Sequence, residues 1–277
     1  MDHFTRAGLT FPVVDSGDPD GEVIVLLPGF PQDATCYDRV LPSLHAAGAR
    51  TLVPVQRGYA ATARPRRRRD YRTAETTADV LALLDAAEAE TAHVVGHDWG
   101  AAPAWALSAW HPERVASLTV LSSPHPSAMV WALTRSTQLL RSWYMIFFQL
   151  PGLPEVAARR GLPVTLLRSG LPEPLVEQYL GAMAEPGALT GALNWYRAIP
   201  CSGRPSVGRV RVPTTYVWGR HDFALGRVAA ERTERWVTGD YRFVELDAGH
   251  WLPETAPVAT ADAILHRVRS SPSSRRG

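Results

Sequence analysis

The 277-residue sequence predicts an α/β protein, with a mostly parallel sheet flanked by helices and interrupted by a helical insertion. Three observations carry that reading. Continuous apolar runs of strand length, such as Val23 to Leu27 and Thr91 to Val95, read as strands covered on both faces. Stretches of helical periodicity alternate with these runs, which is the order that produces parallel pairing. The alternation breaks after Ser123-Pro124-His125-Pro126, continues as an aromatic, proline-interrupted helical stretch to about Gly208, and resumes at Pro213.

Composition narrows the function classes. Hydrophobic residues make up 45% and charged residues 20% of the chain, ordinary for a soluble globular protein. A net charge of +2 is too small to argue for nucleic acid or a membrane surface. The chain contains arginine but no lysine, which with abundant Ala, Gly and Pro reads as coding bias. Cys36 and Cys201 make no disulfide framework. No stretch approaches ~18 uninterrupted apolar residues, so no membrane span is expected, and Met1 to Ser16 lacks a signal-peptide core. A cytoplasmic setting is the expectation.

The elements follow in order. Phe4 to Ser16 holds two extended runs around Arg6-Ala7-Gly8, an opening hairpin, and Asp15 to Gly21 is dense turn chemistry. After the Val23 run comes the loop Pro28-Gly29-Phe30-Pro31-Gln32. A helix is expected at about Tyr37 to Ala47, a strand at Arg50 to Val55, and a helix at Thr73 to Ala89, where Thr77, Leu81 and Leu84 recur at helical spacing. The basic run Arg64 to Arg69 between them reads as a solvated loop. Further strands are expected at Val115 to Ser122, Pro213 to Gly219 and Tyr241 to Leu246. A closing helix runs from Ala256 to Arg269, and Ser270 to Gly277 reads as a frayed tail.

The stretch with the most chemistry is Gly96-His97-Asp98-Trp99-Gly100, between the apolar run and the small-residue helix Ala101 to Trp110. Strand, Gly-x-Asp-x-Gly and helix are the context of a nucleophile elbow, a tight turn presenting a reactive side chain at its tip. A carboxylate there needs no base to become a nucleophile at neutral pH, since its unperturbed pKa is ~3.9. Its attack on an sp3 carbon makes an alkyl ester of the protein, and cleaving that ester with water does need a base. Asp222 follows one late strand and His250 follows the last. The order nucleophile, acid, histidine is that of the α/β-hydrolase fold, whose ligands sit at the carboxyl ends of the strands. His250 is the expected base, Asp222 its orienter, and the backbone N–H groups of Phe30 and Trp99 the oxyanion donors. Asp247 and Glu254 read as surface or support groups, and His97 and His125 as structural.

From about Gly21 to Pro257 the sequence resembles the soluble epoxide hydrolase type of α/β-hydrolase. The pieces that carry this are Gly96-His97-Asp98-Trp99-Gly100, Leu193-Asn194-Trp195-Tyr196-Arg197 and Gly249-His250-Trp251. The resemblance implies an eight-stranded core over residues 1–125 and 209–277 and a helical cap over 126–208. It also implies two cap tyrosines aimed at the nucleophile: Tyr196 and, in Ser142 to Gln149, Tyr144. Phe30, Pro31, Trp99, Trp195 and Trp251 would line the substrate pocket. The implied reaction opens an epoxide to a vicinal diol with water and no cofactor or metal; the aromatic residues of the insertion suggest an apolar or aromatic small-molecule substrate, and a monomer or homodimer is expected. An epoxide generates an alkoxide, a poor leaving group, so a protonated phenol with pKa ~10 is a suitable acid. One departure stands out. The family usually has His-Gly-x-Pro at the oxyanion loop, and Pro28 replaces that His here, removing its bracing hydrogen bonds. The resemblance also raises a cis Phe30–Pro31 peptide.

Competing readings share parts of this pattern. A haloalkane dehalogenase would use the same Asp and His–Asp pair, with Trp99 as a halide donor, but has no need of cap tyrosines. A fluoroacetate dehalogenase would place Arg where Trp99 stands. A non-hydrolysing binding protein would tolerate a broken triad, and a serine esterase would need Ser at position 98.

Overall fold

The computed structural model describes residues 1–203 and 206–271; the expected tail falls outside the described residues from 272 onward. Eight strands form one sheet: β1 (His3–Arg6), β2 (Leu9–Gly17), β3 (Glu22–Leu27), β4 (Ala49–Pro54), β5 (Ala92–His97), β6 (Val115–Leu121), β7 (Thr214–Gly219) and β8 (Tyr241–Leu246). Their spatial order is β1-β2-β4-β3-β5-β6-β7-β8. β1 and β2 form an antiparallel hairpin, β2 pairs antiparallel with β4, and β3 through β8 pair in parallel. The strands expected from apolar runs are present within a residue or two at each end.

The pleat sends alternate side chains to two separate cores. Val25, Leu27 and Val94 pack with Val80, Leu84 and Trp105 of the helices Thr73–Ala86 and Ala101–Trp110. Ile24, Leu26 and Val95 face the other way, against Leu44 and Ile264 of the helices Leu41–Ala46 and Pro257–Arg269. A strand buried on both faces needs apolar residues at every position, which is why the central strands carry unbroken runs.

The expected helix at Tyr37 to Ala47 is two pieces. A short 3-10 turn, Ala34–Tyr37, capped by the Asp33 carboxylate on the Thr35 N–H, precedes the helix Leu41–Ala46, and Pro42 stands in the opening turn of the latter. Proline lacks the N–H an earlier start would need, so the helix begins there.

Between β6 and β7 the chain is helical: Pro126–Leu133, Gln138–Arg141, Trp143–Phe147, Leu153–Arg168, Glu173–Ala184 and Ala188–Arg197. Because β3, β5, β7 and β8 run parallel, their carboxyl ends fall on one edge, and the insertion leaves β6 from that same edge. Phe30, Asp98, Asp222 and His250, far apart in sequence, thereby converge.

Candidate active site

The elbow is built as the sequence pattern requires. β5 ends at His97, and Asp98 begins a 3-10 turn leading into the helix Ala101–Trp110. Asp98 has φ +48°, a left-handed conformation that a non-glycine residue holds only where its surroundings impose it. Two glycines allow the close approach. A Cβ at Gly100 would collide with the Leu27 carbonyl, and one at Gly29 would collide with the Asp98 side chain itself.

Asp98 Oδ1 accepts the Phe30 backbone N–H at 2.8 Å, and Oδ2 lies 3.5 Å from His250 Nε2. Burial works to raise the Asp98 pKa, but the His250 hydrogen bond and charge, helped by the Phe30 N–H, hold it below the ordinary carboxylate value. Asp98 is therefore an anion at neutral pH. Its carbonyl oxygen accepts the Ser123 hydroxyl at 2.9 Å, which ties the turn to the end of β6.

On the far side of the ring, His250 Nδ1 lies 2.8 Å from Asp222 Oδ2. The other oxygen of Asp222 accepts the backbone N–H groups of Ala224 and Leu225 at 2.8 and 2.9 Å, so this buried carboxylate is fixed by its own loop. Burial lowers the affinity of His250 for a proton, yet Asp222 and Asp98 together overcome it and raise the pKa to about 10. The resting site is an imidazolium between two carboxylates.

The loop after β3 lacks the histidine of the usual pattern and is held by other groups. Gln32 Oε1 accepts the Gly29 N–H at 2.8 Å, Gln56 Nε2 donates to the Pro28 carbonyl at 2.6 Å, and the Tyr59 hydroxyl donates to the Gly29 carbonyl at 3.2 Å. The Phe30–Pro31 peptide is cis. Gln32 also lies 2.7 Å from His97 Nδ1 through Oε1, and its Nε2 donates to Glu254 Oε1 at 2.5 Å. His97 Nε2 in turn lies 2.9 Å from the His250 carbonyl oxygen, which also accepts the Ser122 hydroxyl at 2.8 Å. One buried network thus connects the Phe30 loop to the backbone of His250.

Glu254 is fully buried. Tyr179 donates a second hydrogen bond to Oε1 at 3.1 Å, and among the described residues Oε2 has no hydrogen-bond partner. Burial raises its pKa to about 7, against the hydrogen bonds from Gln32 and Tyr179. His125 is a packing residue, stacked on Trp236 with ring centroids 5.2 Å apart. Asp247 lies at the surface, 2.8 Å from His221. The basic run is mostly solvent-exposed, but Arg64 ties its loop to the insertion through the Pro186 carbonyl at 2.8 Å.

Above Asp98 is a cavity of ≈ 460 Å³ lined by Phe30, Pro31, Trp251 and both insertion tyrosines, with an apolar wall from Phe147, Phe148 and Leu162. A second space of ≈ 310 Å³, lined by Trp99, Met129 and Leu133, also reaches Asp98, Tyr144 and Tyr196. Asp98 and the two phenols therefore lie where two apolar lobes meet. The Tyr144 and Tyr196 rings have centroids 6.0 Å apart. Burial, with the neighbouring Asp98 charge, pushes both phenols above their ordinary pKa, so both carry their protons at neutral pH.

Among the expected pocket residues, Trp195 stands apart. Its indole N–H donates to the Arg57 carbonyl at 2.7 Å and it lines neither lobe; it packs the insertion onto the core. Phe223, not anticipated, lines the larger lobe and sets its ring edge-on to His250 at 5.4 Å. Among the described residues no group of three or more His, Cys, Asp and Glu side chains could hold a metal ion.

Comparison with known proteins gives the family. Residues 22–257 match the family described as alpha/beta hydrolase fold. The chain is 34% identical to the AB hydrolase superfamily protein YfhM of Bacillus subtilis, over 95% of this chain and 96% of that protein. It is 31% identical to Epoxide hydrolase A of Mycobacterium tuberculosis, over 93% of this chain and 94% of that protein. The crystal structure of Epoxide Hydrolase A from Mycobacterium thermoresistibile superposes with a TM-score of 0.83 at 27% identity, covering 98% of both chains. The chain belongs to the α/β-hydrolase family, in its epoxide hydrolase-like branch.

Proposed function

We propose that the chain hydrolyses epoxides to vicinal diols through an ester of Asp98. The observation that carries this is the meeting of an anionic Asp98, the His250–Asp222 pair and two protonated phenols at one point of an apolar cavity. Asp98 Oδ2 attacks a ring carbon, the carbon–oxygen bond breaks, and the departing oxygen takes a proton from Tyr196 or Tyr144. Oδ1, held by the Phe30 N–H, becomes the ester carbonyl oxygen, with the Trp99 N–H as the expected second oxyanion donor. Forming the ester removes the Asp98 charge, and with it part of what holds the proton on His250. The His250 proton passes to the tyrosinate, restoring the phenol and leaving His250 a neutral base, which takes a proton from water as the resulting hydroxide attacks the ester carbon. Breaking the bond to the alkyl oxygen, which takes the proton of the newly added hydroxyl, releases the diol and restores the Asp98 carboxylate beside a protonated His250. Residues 126–208 serve as the cap over this site, and residues 1–125 and 209–277 as the core. The apolar walls favour an apolar or aromatic substrate.

Intact-mass measurement on His250→Gln, after incubation with small epoxides and alkyl halides, tests the reading. A stable gain equal to the whole epoxide mass, absent from Asp98→Ala, is the expected result. A gain equal to the alkyl halide less HX, with epoxides inert, would make the protein a dehalogenase.

A further inference from the structure

The outer surface of the insertion is built unlike the rest of the molecule. Leu140, Trp143 and Ile146 are 74%, 63% and 67% exposed. On the helix Leu153–Arg168 the exposed side chains Leu153, Val156, Arg160, Val164 and Leu167 recur every three or four residues and so form one stripe. The opposite face of this helix, with Ala158, Leu162 and Leu166, walls the larger lobe. A helix apolar on both faces is expected to be covered on both, and contiguous exposed apolar surface marks a contact site.

Within residues 126–170 the charge is nearly all of one sign, while the adjoining helix Glu173–Ala184 carries exposed Glu173 and Glu177. Residues 126–170 carry Arg135, Arg141, Arg159, Arg160 and Arg168 against a single acid, Glu155. That acid is engaged by Arg197 at 2.6 Å, whereas the five arginines are exposed. The overall charge of +2 conceals this, because the remainder of the chain is more acidic than basic. A second copy meeting this face symmetrically would set arginine against arginine. A bilayer bearing anionic headgroups meets both requirements, taking the apolar side chains into its interfacial zone and pairing with the guanidinium groups. The cavity opens on the same face: Leu140, Trp143, Ala157, Gly161 and Thr165 are exposed and also line the larger lobe.

We infer that the outer face of the insertion docks on an anionic lipid surface, so that apolar substrate passes from lipid into the cavity. The delivery of substrate rests on the proposed function of the cavity; the docking does not.

The test is flotation of the full chain with vesicles of phosphatidylcholine alone or mixed with phosphatidylglycerol. Binding to the anionic vesicles stronger by about tenfold or more is expected, weakening as salt rises to about 0.5 M. The variant Ile146→Ser/Val156→Ser/Leu167→Ser replaces only residues that do not line the cavity, and it loses that binding while keeping the wild-type melting temperature. The variant Arg159→Gln/Arg160→Gln loses the preference for anionic lipid. Equal binding to both vesicle types, or binding to neither, overturns the inference. A dimer in sizing chromatography that the triple serine variant dissociates would overturn it too, assigning the face to a second copy. The ester-trapping experiment has its own readout, so failure of docking and failure of the catalytic reading are distinguishable.

Discussion

His250 Nε2 stands 3.5 Å from Asp98 Oδ2, while Nδ1 of the same ring lies 2.8 Å from Asp222. Asp98, the proposed nucleophile, is thus one of two charges that keep His250 protonated at rest, with a pKa of about 10. Asp98→Asn replaces the carboxylate with a neutral group of the ester's shape. The His250 pKa in that variant is expected below the wild-type value, because burial and Asp222 remain while the Asp98 charge is gone. An NMR titration of 15N-labelled histidine reads this directly. An unchanged pKa would mean that esterification does not release the base.

Under the proposed mechanism Tyr196 and Tyr144 share one task, delivery of a proton to the epoxide oxygen, so each variant should act differently on epoxides and on halides. Tyr196→Phe and Tyr144→Phe are each expected to slow epoxide opening by about ten- to a hundredfold, and the double variant by about a thousandfold or more. The loss should appear in kcat rather than KM, measured in single turnovers. Any residual reaction with alkyl halides should be spared, since halide leaves without a proton. Equal losses on both substrates would reduce the tyrosines to packing.

Gln32 is a positioning residue that meets the Gly29 N–H, His97 and Glu254 at once. Gln32→Ala leaves several buried polar groups without partners, at roughly 1–3 kcal/mol each. A loss of about 2–5 kcal/mol in urea unfolding is expected, together with a lower kcat from a displaced Phe30 N–H. Gln56→Ala removes a single tie, to the Pro28 carbonyl, and should cost about 1 kcal/mol. Similar effects from both would mean that Gln32 has no special place in the loop.

What was legible in the sequence follows from how local each signal is. The Asp98 elbow is five consecutive residues whose glycines are forced by close backbone contact, and the central strands are unbroken apolar runs. Asp222 and His250 could be placed because each closely follows a strand end, and parallel strands bring their ends to one edge. Trp195 was misplaced because its neighbour Tyr196 faces the cavity. Successive residues on a helix point about 100° apart, and the Trp195 indole reaches Arg57 instead. The pairing of Gln32 with Glu254 spans 222 positions and carries no periodicity or spacing, so Glu254 read only as a support group. The loss of the usual histidine at Pro28 was visible, but its replacement by Gln32, Gln56 and Tyr59 depends on packing alone.

Glu254 offers a test through stability. Its pKa of about 7 lies above the unfolded value near 4.5, so the folded protein holds the proton over that interval and the unfolded chain does not. Below pH 4.5 the group carries no penalty; as pH rises from 4.5 to 7 the folded state loses stability, and above about 7 the loss is complete. Glu254→Gln keeps the shape of the protonated acid and cannot ionise. The unfolding free energy of wild type should therefore fall relative to Glu254→Gln by about 3 kcal/mol across this window, at 1.36 kcal/mol per pKa unit. Urea melts at pH 4.5, 6 and 8 measure it. A difference independent of pH would mean that Glu254 stays ionised throughout. The balancing proton would then have to sit on His97, whose two ring nitrogens face acceptor oxygens, Gln32 Oε1 and the His250 carbonyl, against the burial and the His250 charge that lower its pKa to about 4. In that case the network bracing the Phe30 loop would be a buried ion pair bridged by Gln32, and its removal would cost more than the loss of neutral hydrogen bonds.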